Sequence, residues 1–390
     1  MTKRRHPATI VAAARPDADP AYSSIAPPLW NSDTYRWRDA DTKPDYDYSR
    51  TVNPNRDLLL DALCELEGAA GGAITSSGQS AALLALMLLP AGARVVAPHD
   101  CYGGTYRLIQ GLADGEKLSA TFVDMRDDEA FGAAMRQSPQ LVWIETPSNT
   151  LLRIIDIAAR AAEAKAAGAM VIADNTLATP CRQRPLALGC DLVMHSTTKA
   201  LNGHSDLFGG ALLAADKGQV ETIQWWANAA GLHGSAYDAS QIMRGLRTLN
   251  LRVDRQEQSA RRIAAWLEGN DQAIETFYPG LAAHPEYDLA ARQQSGPGFM
   301  ISFRVAGGDD ATANFLRSLS LVSLASSLGG FSTLICKPAT MTHRGMPPEA
   351  QAEAGIASDL LRLSVGLEEV DDLIDDLQRG FDALAGKEGR

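Results

Sequence analysis

The chain has 390 residues, 45% of them apolar and 21% charged, with a net charge of -11. That length and composition allow two packed domains with a large core. The acidic balance excludes unspecific binding to nucleic acid or to an anionic membrane surface, both of which need clustered Lys and Arg. Any phosphate has to be held locally.

The N-terminus, MTKRRHPATIVAAARP, starts basic and turns apolar, but the apolar part is too short for a signal peptide and is cut by Pro16. The five cysteines (Cys64, Cys101, Cys181, Cys190, Cys336) are odd in number, widely spaced and lack a CxxC, so neither a disulfide framework nor a zinc site is expected. A reducing cytoplasm fits this usage best. The longest apolar segment, Ala81 to Leu89, follows the helix-opening SSGQS, stops at Pro90 and falls short of a membrane span. It reads as a core helix.

The first sixty or so residues are rich in Pro, Asp, Tyr and Arg and lack sustained periodicity, which predicts an extended arm lying on something else. From Gly72 onward short Val- and Ile-rich runs (AIT at 73, RVVAP at 94, ATFVDM at 120, LVWIET at 141, MVIADNT at 170, DLVMHS at 191, FGGALLA at 208) alternate with Ala-rich helical stretches. That alternation predicts an α/β domain with a mainly parallel sheet and flanking helices. Asp156 can cap a helix, IAARAAEAKAAGA, that Gly168 ends, delivering the chain into the strand MVIAD. Asp174 then lies at the carboxyl end of a strand, the edge where open α/β sheets bind ligands. After about Thr248 long charged helical stretches (254 to 268, 370 to 384) and the runs FMISFRV and LLRLSVGL predict a smaller α+β domain. The expected division is an arm over 1–57, an α/β domain over 58–248 and a C-terminal α+β domain over 249–390.

Asp174 and Lys199 both fall at carboxyl ends of predicted strands and can face one crevice. A lysine there can form a Schiff base with an aldehyde cofactor, and a carboxylate can keep that cofactor's pyridine nitrogen protonated. At contact distance and an effective dielectric of about 20, such a charge pair is worth roughly 4 kcal/mol before desolvation. Together the two residues suggest pyridoxal 5'-phosphate. Ser77-Gly78-Gln79 opens a helix whose N–H groups suit a phosphate, with Ser196 and Thr198 adding hydroxyls beside Lys199, and Tyr102 offers an aromatic face. Taken singly, a strand-end Asp reads as a turn residue, SSG as a helix cap and a lone Lys as solvated. Their joint occurrence at strand ends favours the cofactor. His99, His195 and His204 lack ligand spacing, so no metal is expected, and Cys101 reads as a small packing residue.

The motifs YSRTVNPNRD at 48, ELEGAAGG at 65, VAPHDCYGGTYRL at 95, ETPSNTLLRIIDI at 145, ADNTLATP at 173, DLVMHSTTKALNGHSD at 191, WWANAAGLHG at 225, RGLRTL at 244, LASSLGG at 324, TMTHRGMPPE at 340 and LLRLSVGLE at 360 run in order along nearly the whole chain. In these the chain resembles the Cys/Met-metabolism (transsulfuration) family of pyridoxal phosphate enzymes, and within it the γ-replacing branch. The resemblance implies a type I, aspartate aminotransferase-like fold and a homotetramer built as a dimer of dimers. It implies that Lys199 is the Schiff-base lysine and proton shuttle, Asp174 the pyridinium partner and Tyr102 the stacking ring. Gly78, Gln79, Ser196 and Thr198 then hold phosphate, joined by Tyr48 and Arg50 reaching across from a neighbouring subunit. Asn149 lies near the ring hydroxyl, and Arg362 clamps the substrate carboxylate, with Thr51, Arg107, Ser326 and Ser327 in the substrate site.

The implied reaction is replacement at the γ-carbon of an O-acylated homoserine by cysteine, giving cystathionine. Two positions depart from that branch's pattern: Thr51 stands where a second arginine follows YSR, and Ser326 where a glutamate stands in LAESLGG. Losing one charge-assisted bond costs about 1.5 to 3 kcal/mol, enough to alter substrate preference. The alternatives are therefore γ- or β-elimination, as performed by the family's cystathionine lyases or its methionine γ-lyases. Gly104, where the latter carry cysteine, counts against that last option. A catalytically silent relative would have lost Lys199, Asp174 or Arg362, and all three are present.

Overall fold

The computed structural model describes residues 5–13, 18–19 and 21–384. Two sheets organise it, a seven-stranded one and a five-stranded one. The first contains β1 (Gly71–Thr75), β2 (Ala93–Pro98), β3 (Leu118–Val123), β4 (Leu141–Glu145), β5 (Met170–Asp174), β6 (Leu192–His195) and β7 (Gly210–Ala214), in the order β1-β7-β6-β5-β4-β2-β3. All seven runs expected from the alternation are strands. The pairs β2·β3, β2·β4, β4·β5 and β5·β6 are parallel, whereas β7 runs antiparallel to both β6 and β1. A parallel return needs a crossover, usually helical. Residues 196–209 instead form the turns around Lys199, so the chain comes back antiparallel.

Strands β4, β6 and β7 are buried along their whole length, and Trp143, Met194 and Leu212 pack among helix residues such as Leu84 and Ile109. Such unbroken burial explains why these strands read as continuous apolar runs rather than alternating ones. The helices between strands begin at side-chain caps. Asp156 Oδ1 accepts from the N–H of Ala159 at 2.9 Å, and Gly168 follows the helix with φ of 81°. Ser77 Oγ accepts from the N–H of Ser80 at 3.1 Å, starting the helix Gly78–Met87.

The helix β2 feeds into, Gly103–Asp114, leads to β3 on one side, while β4 feeds the helix Ile157–Ala166 leading to β5 on the other. The strand order therefore reverses between β2 and β4. A crevice opens at the carboxyl ends of strands at such a reversal.

The second sheet comprises β8 (Ala273–Phe277), β9 (Met300–Val305), β10 (Ser323–Leu324), β11 (Leu334–Cys336) and β12 (Leu360–Ser364), in the order β10-β11-β12-β9-β8. Only β10·β11 is parallel. Phe303, Phe315 and Phe381 form its core with the helices Gly308–Ser318 and Val370–Leu384. Both charged stretches expected near the C-terminus are helices, Leu249–Glu268 and Val370–Leu384.

The N-terminal segment is mostly irregular from Tyr22 to Val52, as its composition suggests. Two helices begin inside the stretch read as arm. Pro7–Ala12 buries Ile10 and Val11, and Pro54–Glu67 begins because Asn53 Oδ1 accepts from the N–H of Asn55 at 3.0 Å with proline at the first helical position. No helix among the described residues is long and apolar enough to cross a membrane.

Candidate active site

The carboxyl ends of β4, β5 and β6 open onto a cavity of about 410 Å³. It brings together Gly78, Gln79, Tyr102, Asn149, Asp174, Ser196, Thr198, Lys199, Ser326, Ser327 and Arg362, residues scattered over most of the chain. Asp174 is the last residue of β5 and Ser196 follows β6, so strand register sets them side by side. Thr176 ties them: its N–H donates to Asp174 Oδ1 at 3.0 Å, and its Oγ1 accepts from the N–H of Ser196 at 2.9 Å.

Burial pushes the Asp174 carboxyl above its ordinary range, and the hydroxyl and N–H of Thr176 pull it back. No ion pair joins Asp174 to a Lys or Arg among the described residues. A buried carboxylate is costly without a cation. A protonated pyridine nitrogen would supply one.

Lys199 Nζ donates to Ser327 Oγ at 2.8 Å. Burial first, and the Arg362 charge second, pull its amine down to about 8. The turn that carries Lys199 is held from behind by Arg252, whose Nη1 donates to the carbonyl of Ala200 and Nη2 to that of Gly245, both at 2.8 Å. On the other side, Gly329 (φ 72°) packs so closely that a Cβ there would lie 2.7 Å from the N of Ala200. Ser327 is itself in a left-handed conformation (φ 93°), uncommon for a residue with a Cβ. That backbone presents its hydroxyl to Lys199 and its carbonyl to Arg362.

Arg362, at the centre of β12 and 2% exposed, donates from Nη1 to Asn149 Oδ1 at 2.6 Å and from Nη2 to the Ser327 carbonyl at 2.9 Å. Its Nε is buried without a partner, and no carboxylate is paired with it among the described residues. A planar guanidinium left in this state suits a carboxylate brought by a ligand.

The phosphate cradle is tight. A Cβ on Gly78 would lie 2.7 Å from Ser196 Cβ, so only glycine lets the helix N-terminus and the Ser196 hydroxyl approach one another. Thr198 Oγ1 accepts from the N–H of Gly209 at 3.0 Å and donates to its carbonyl at 3.1 Å. The residues therefore fit pyridoxal phosphate, with a primary amine, an unpaired buried carboxyl and an anion cradle in one cavity. Gly78→Ala is expected to weaken pyridoxal phosphate binding by about 5- to 150-fold, since overpacking of about 1 to 3 kcal/mol falls on the cradle itself. Titration of the cofactor-free protein measures this, and an unchanged affinity would move the phosphate elsewhere.

Four expected site residues lie outside this cavity. Arg107 is exposed on the helix Gly103–Asp114, beside Gly345. Tyr48 is 43% exposed, and Arg50 Nη1 donates to Asn228 Oδ1 at 2.7 Å, while Thr51 borders a second cavity with Trp225, Asn228 and His233. Of the histidines weighed for metal, His195 Nε2 lies 2.7 Å from Glu67 Oε1, His99 Nε2 lies 3.0 Å from Arg153 Nη1 and His204 Nδ1 lies 2.7 Å from the Asn202 carbonyl. Sequence reasoning missed Thr176, Phe208 and Glu145, all of which line the main cavity. Thr176 was legible as a hydroxyl two residues beyond Asp174. Glu145 was hidden at the end of an apolar strand.

A family model for Cys/Met metabolism PLP-dependent enzymes matches residues 8–382. Cystathionine gamma-synthase of Escherichia coli (strain K12) is 45% identical over 384 residues, covering 98% of this chain and 99% of that protein. Cystathionine gamma-lyase of Bacillus subtilis (strain 168) is 40% identical over 367 residues, covering 94% and 96%. A solved structure of cystathionine gamma synthase from Xanthomonas oryzae pv. oryzae in complex with cystathionine matches with a TM-score of 0.97 at 45% identity, covering 99% of this chain and 100% of that one.

Proposed function

Because the chain belongs to the Cys/Met metabolism PLP-dependent enzyme family, we propose that it catalyses γ-replacement: the cysteine thiol forms a bond to Cγ of an O-acylated homoserine and the acyloxy group leaves as a carboxylate, giving cystathionine. Its fold is that of type I PLP-dependent enzymes, and its cofactor is pyridoxal 5'-phosphate. The observation that carries the reading is the buried Arg362, paired with no carboxylate among the described residues, facing the same cavity as Lys199 and Asp174. It provides one fixed anchor for an amino-acid carboxylate beside one base.

When bound, pyridoxal phosphate supplies an electron sink that acidifies the α- and β-protons of an amino acid and lets a γ-substituent leave. The chain's residues do the rest. Asp174 would hold the ring nitrogen's proton, Tyr102 would cover a ring face, and Gly78, Gln79, Ser196 and Thr198 would hold the phosphate. Arg362 and Asn149 orient the substrate. Lys199 Nζ, with an amine drawn down to about 8, is the base that takes the α-proton near neutral pH and passes it on within the cavity. Ser327 Oγ fixes where that nitrogen waits.

We also infer a homotetramer in which Tyr48 and Arg50 complete a neighbouring subunit's phosphate site. Supporting this, neither lines the cavity of its own chain, and the arm exposes Tyr22, Ile25 and Trp37. Light scattering tests the assembly, and a monomeric active enzyme would overturn it.

A lyase reading is favoured by one feature: Ser326, exposed where it meets the cavity, offers no carboxylate to an incoming amino acid's ammonium. Mass spectrometry decides between them. Incubation with O-succinylhomoserine and cysteine should accumulate cystathionine, and cystathionine alone should persist. Its rapid breakdown would make the enzyme a lyase, with cysteine plus 2-oxobutyrate marking γ-cleavage and homocysteine plus pyruvate marking β-cleavage. Ser326→Glu is expected to raise the ratio of cystathionine to 2-oxo acid by about tenfold, the value of one charge-assisted bond. An unchanged ratio would remove Ser326 from the determinants of specificity.

A further inference from the structure

Glu145 ends β4 directly beside Asp174, which ends β5 in register with it. It is 2% exposed, yet it is a carboxyl group on the wall of the main cavity. Oε2 accepts from the N–H of Tyr102 at 2.9 Å, the backbone N–H of Asn149 also favours the ionised carboxyl, and Oε1 is buried with no hydrogen bond among the described residues. Tyr102 enters the helix Gly103–Asp114 without a side-chain cap of that helix. The bond between Glu145 and Tyr102 therefore spans the reversal of strand order between β2 and β4, tying the end of β4 to the segment that follows β2.

The Tyr102 ring is confined as well as tethered. It folds over Gly104 so closely that a Cβ there would lie 2.4 Å from Tyr102 Cε1 and 2.9 Å from Gln79 Nε2. Ring placement thus depends on where the Tyr102 backbone is pinned.

We propose that Glu145 is a positioning residue of the site, whose buried carboxyl pins the Tyr102 backbone beside Asp174 and thereby fixes the aromatic face presented to the cofactor ring. This rests on the reading of the cavity as a pyridoxal phosphate site. The role needs an acceptor and not a charge. Burial first, and the neighbouring Asp174 charge second, push the Glu145 carboxyl well up, which favours its neutral form. Of the two adjacent buried carboxyls, Asp174 is the one that would face a protonated ring nitrogen.

The test is a double-mutant cycle read by the dissociation constant of pyridoxal phosphate for the cofactor-free protein and by the visible circular dichroism of the bound cofactor. Glu145→Gln keeps an acceptor and no charge, and is expected to match wild type within about twofold. Glu145→Leu removes the acceptor and is expected to weaken binding by at least about tenfold, with a diminished dichroism signal. In a Tyr102→Ala background the Leu substitution should add less than about twofold, because the group it acts through is gone. Should the Leu variant not fold, Glu145→Asp, one methylene shorter, takes its place with the same expectation. A tenfold loss that persists without the Tyr102 ring, or a Gln variant as weak as Leu, would overturn the proposal. Failure of the cofactor reading itself looks different: wild type would then show no saturable binding of pyridoxal phosphate.

Discussion

Lys199→Ala is expected to purify folded, without the visible absorbance of covalently held cofactor, and with turnover reduced at least about 10⁴-fold, the upper range of what one positioned acid–base group contributes. Among the described residues no other primary amine lines the cavity, so no second group there can take over. Retained turnover would remove Lys199 from the chemistry. A pH experiment on the cofactor-free wild type probes the same group. The neutral amine is the nucleophile, and with Lys199 drawn down to about 8 the rate of pyridoxal phosphate uptake should rise about tenfold per pH unit below 8 and level off above it. An ordinary lysine would keep gaining to above about pH 10. Continued rise past pH 9 would mean that burial and the Arg362 charge do not act on this amine as the geometry requires.

Arg362→Ala is expected to lower kcat/KM for the amino-acid substrate by roughly 30- to 5,000-fold, corresponding to about 2 to 5 kcal/mol for truncating one partner of a buried charge pair. The cofactor absorbance should survive, since the phosphate cradle and Asp174 lie on the other sheet. Arg362→Lys keeps the charge but loses the planar fork, and should fall between wild type and Ala. Removing the Arg362 charge also removes the second cause that depresses Lys199, so the plateau in cofactor uptake should move to higher pH. A kcat/KM within about threefold of wild type would place the substrate carboxylate on another group.

Periodicity and caps were enough to find all seven strands of the larger sheet and the helix between Asp156 and Gly168. Both signals are local, because burial on two faces forces an apolar run and an unpaired helix N–H calls for an oxygen. The direction of β7 was not legible. A strand's residues do not encode which way it pairs, and here the turns around Lys199 decide it.

For the site, residue type and strand-end position singled out Lys199, Asp174, Gly78, Ser196, Thr198 and Tyr102, and the structure lines one cavity with them. Resemblance alone supplied Arg362 and Asn149, whose mutual hydrogen bond joins β12 to the turn that follows β4. Arg107, which resemblance also put forward, is exposed beside Gly345 and does not line the cavity.

By itself the sequence determined the α/β character, the lysine and carboxylate at neighbouring strand ends, and the small residues that admit an anion. These follow from side-chain chemistry and short-range geometry. Only the tertiary structure decided that Arg362 is buried with no carboxylate partner among the described residues, that Ser327 turns left-handed to meet both Lys199 and Arg362, and that Glu145 reaches Tyr102. Each of these depends on which distant segments share a sheet edge, and on how much water they exclude. Neither is carried by any stretch of chain alone.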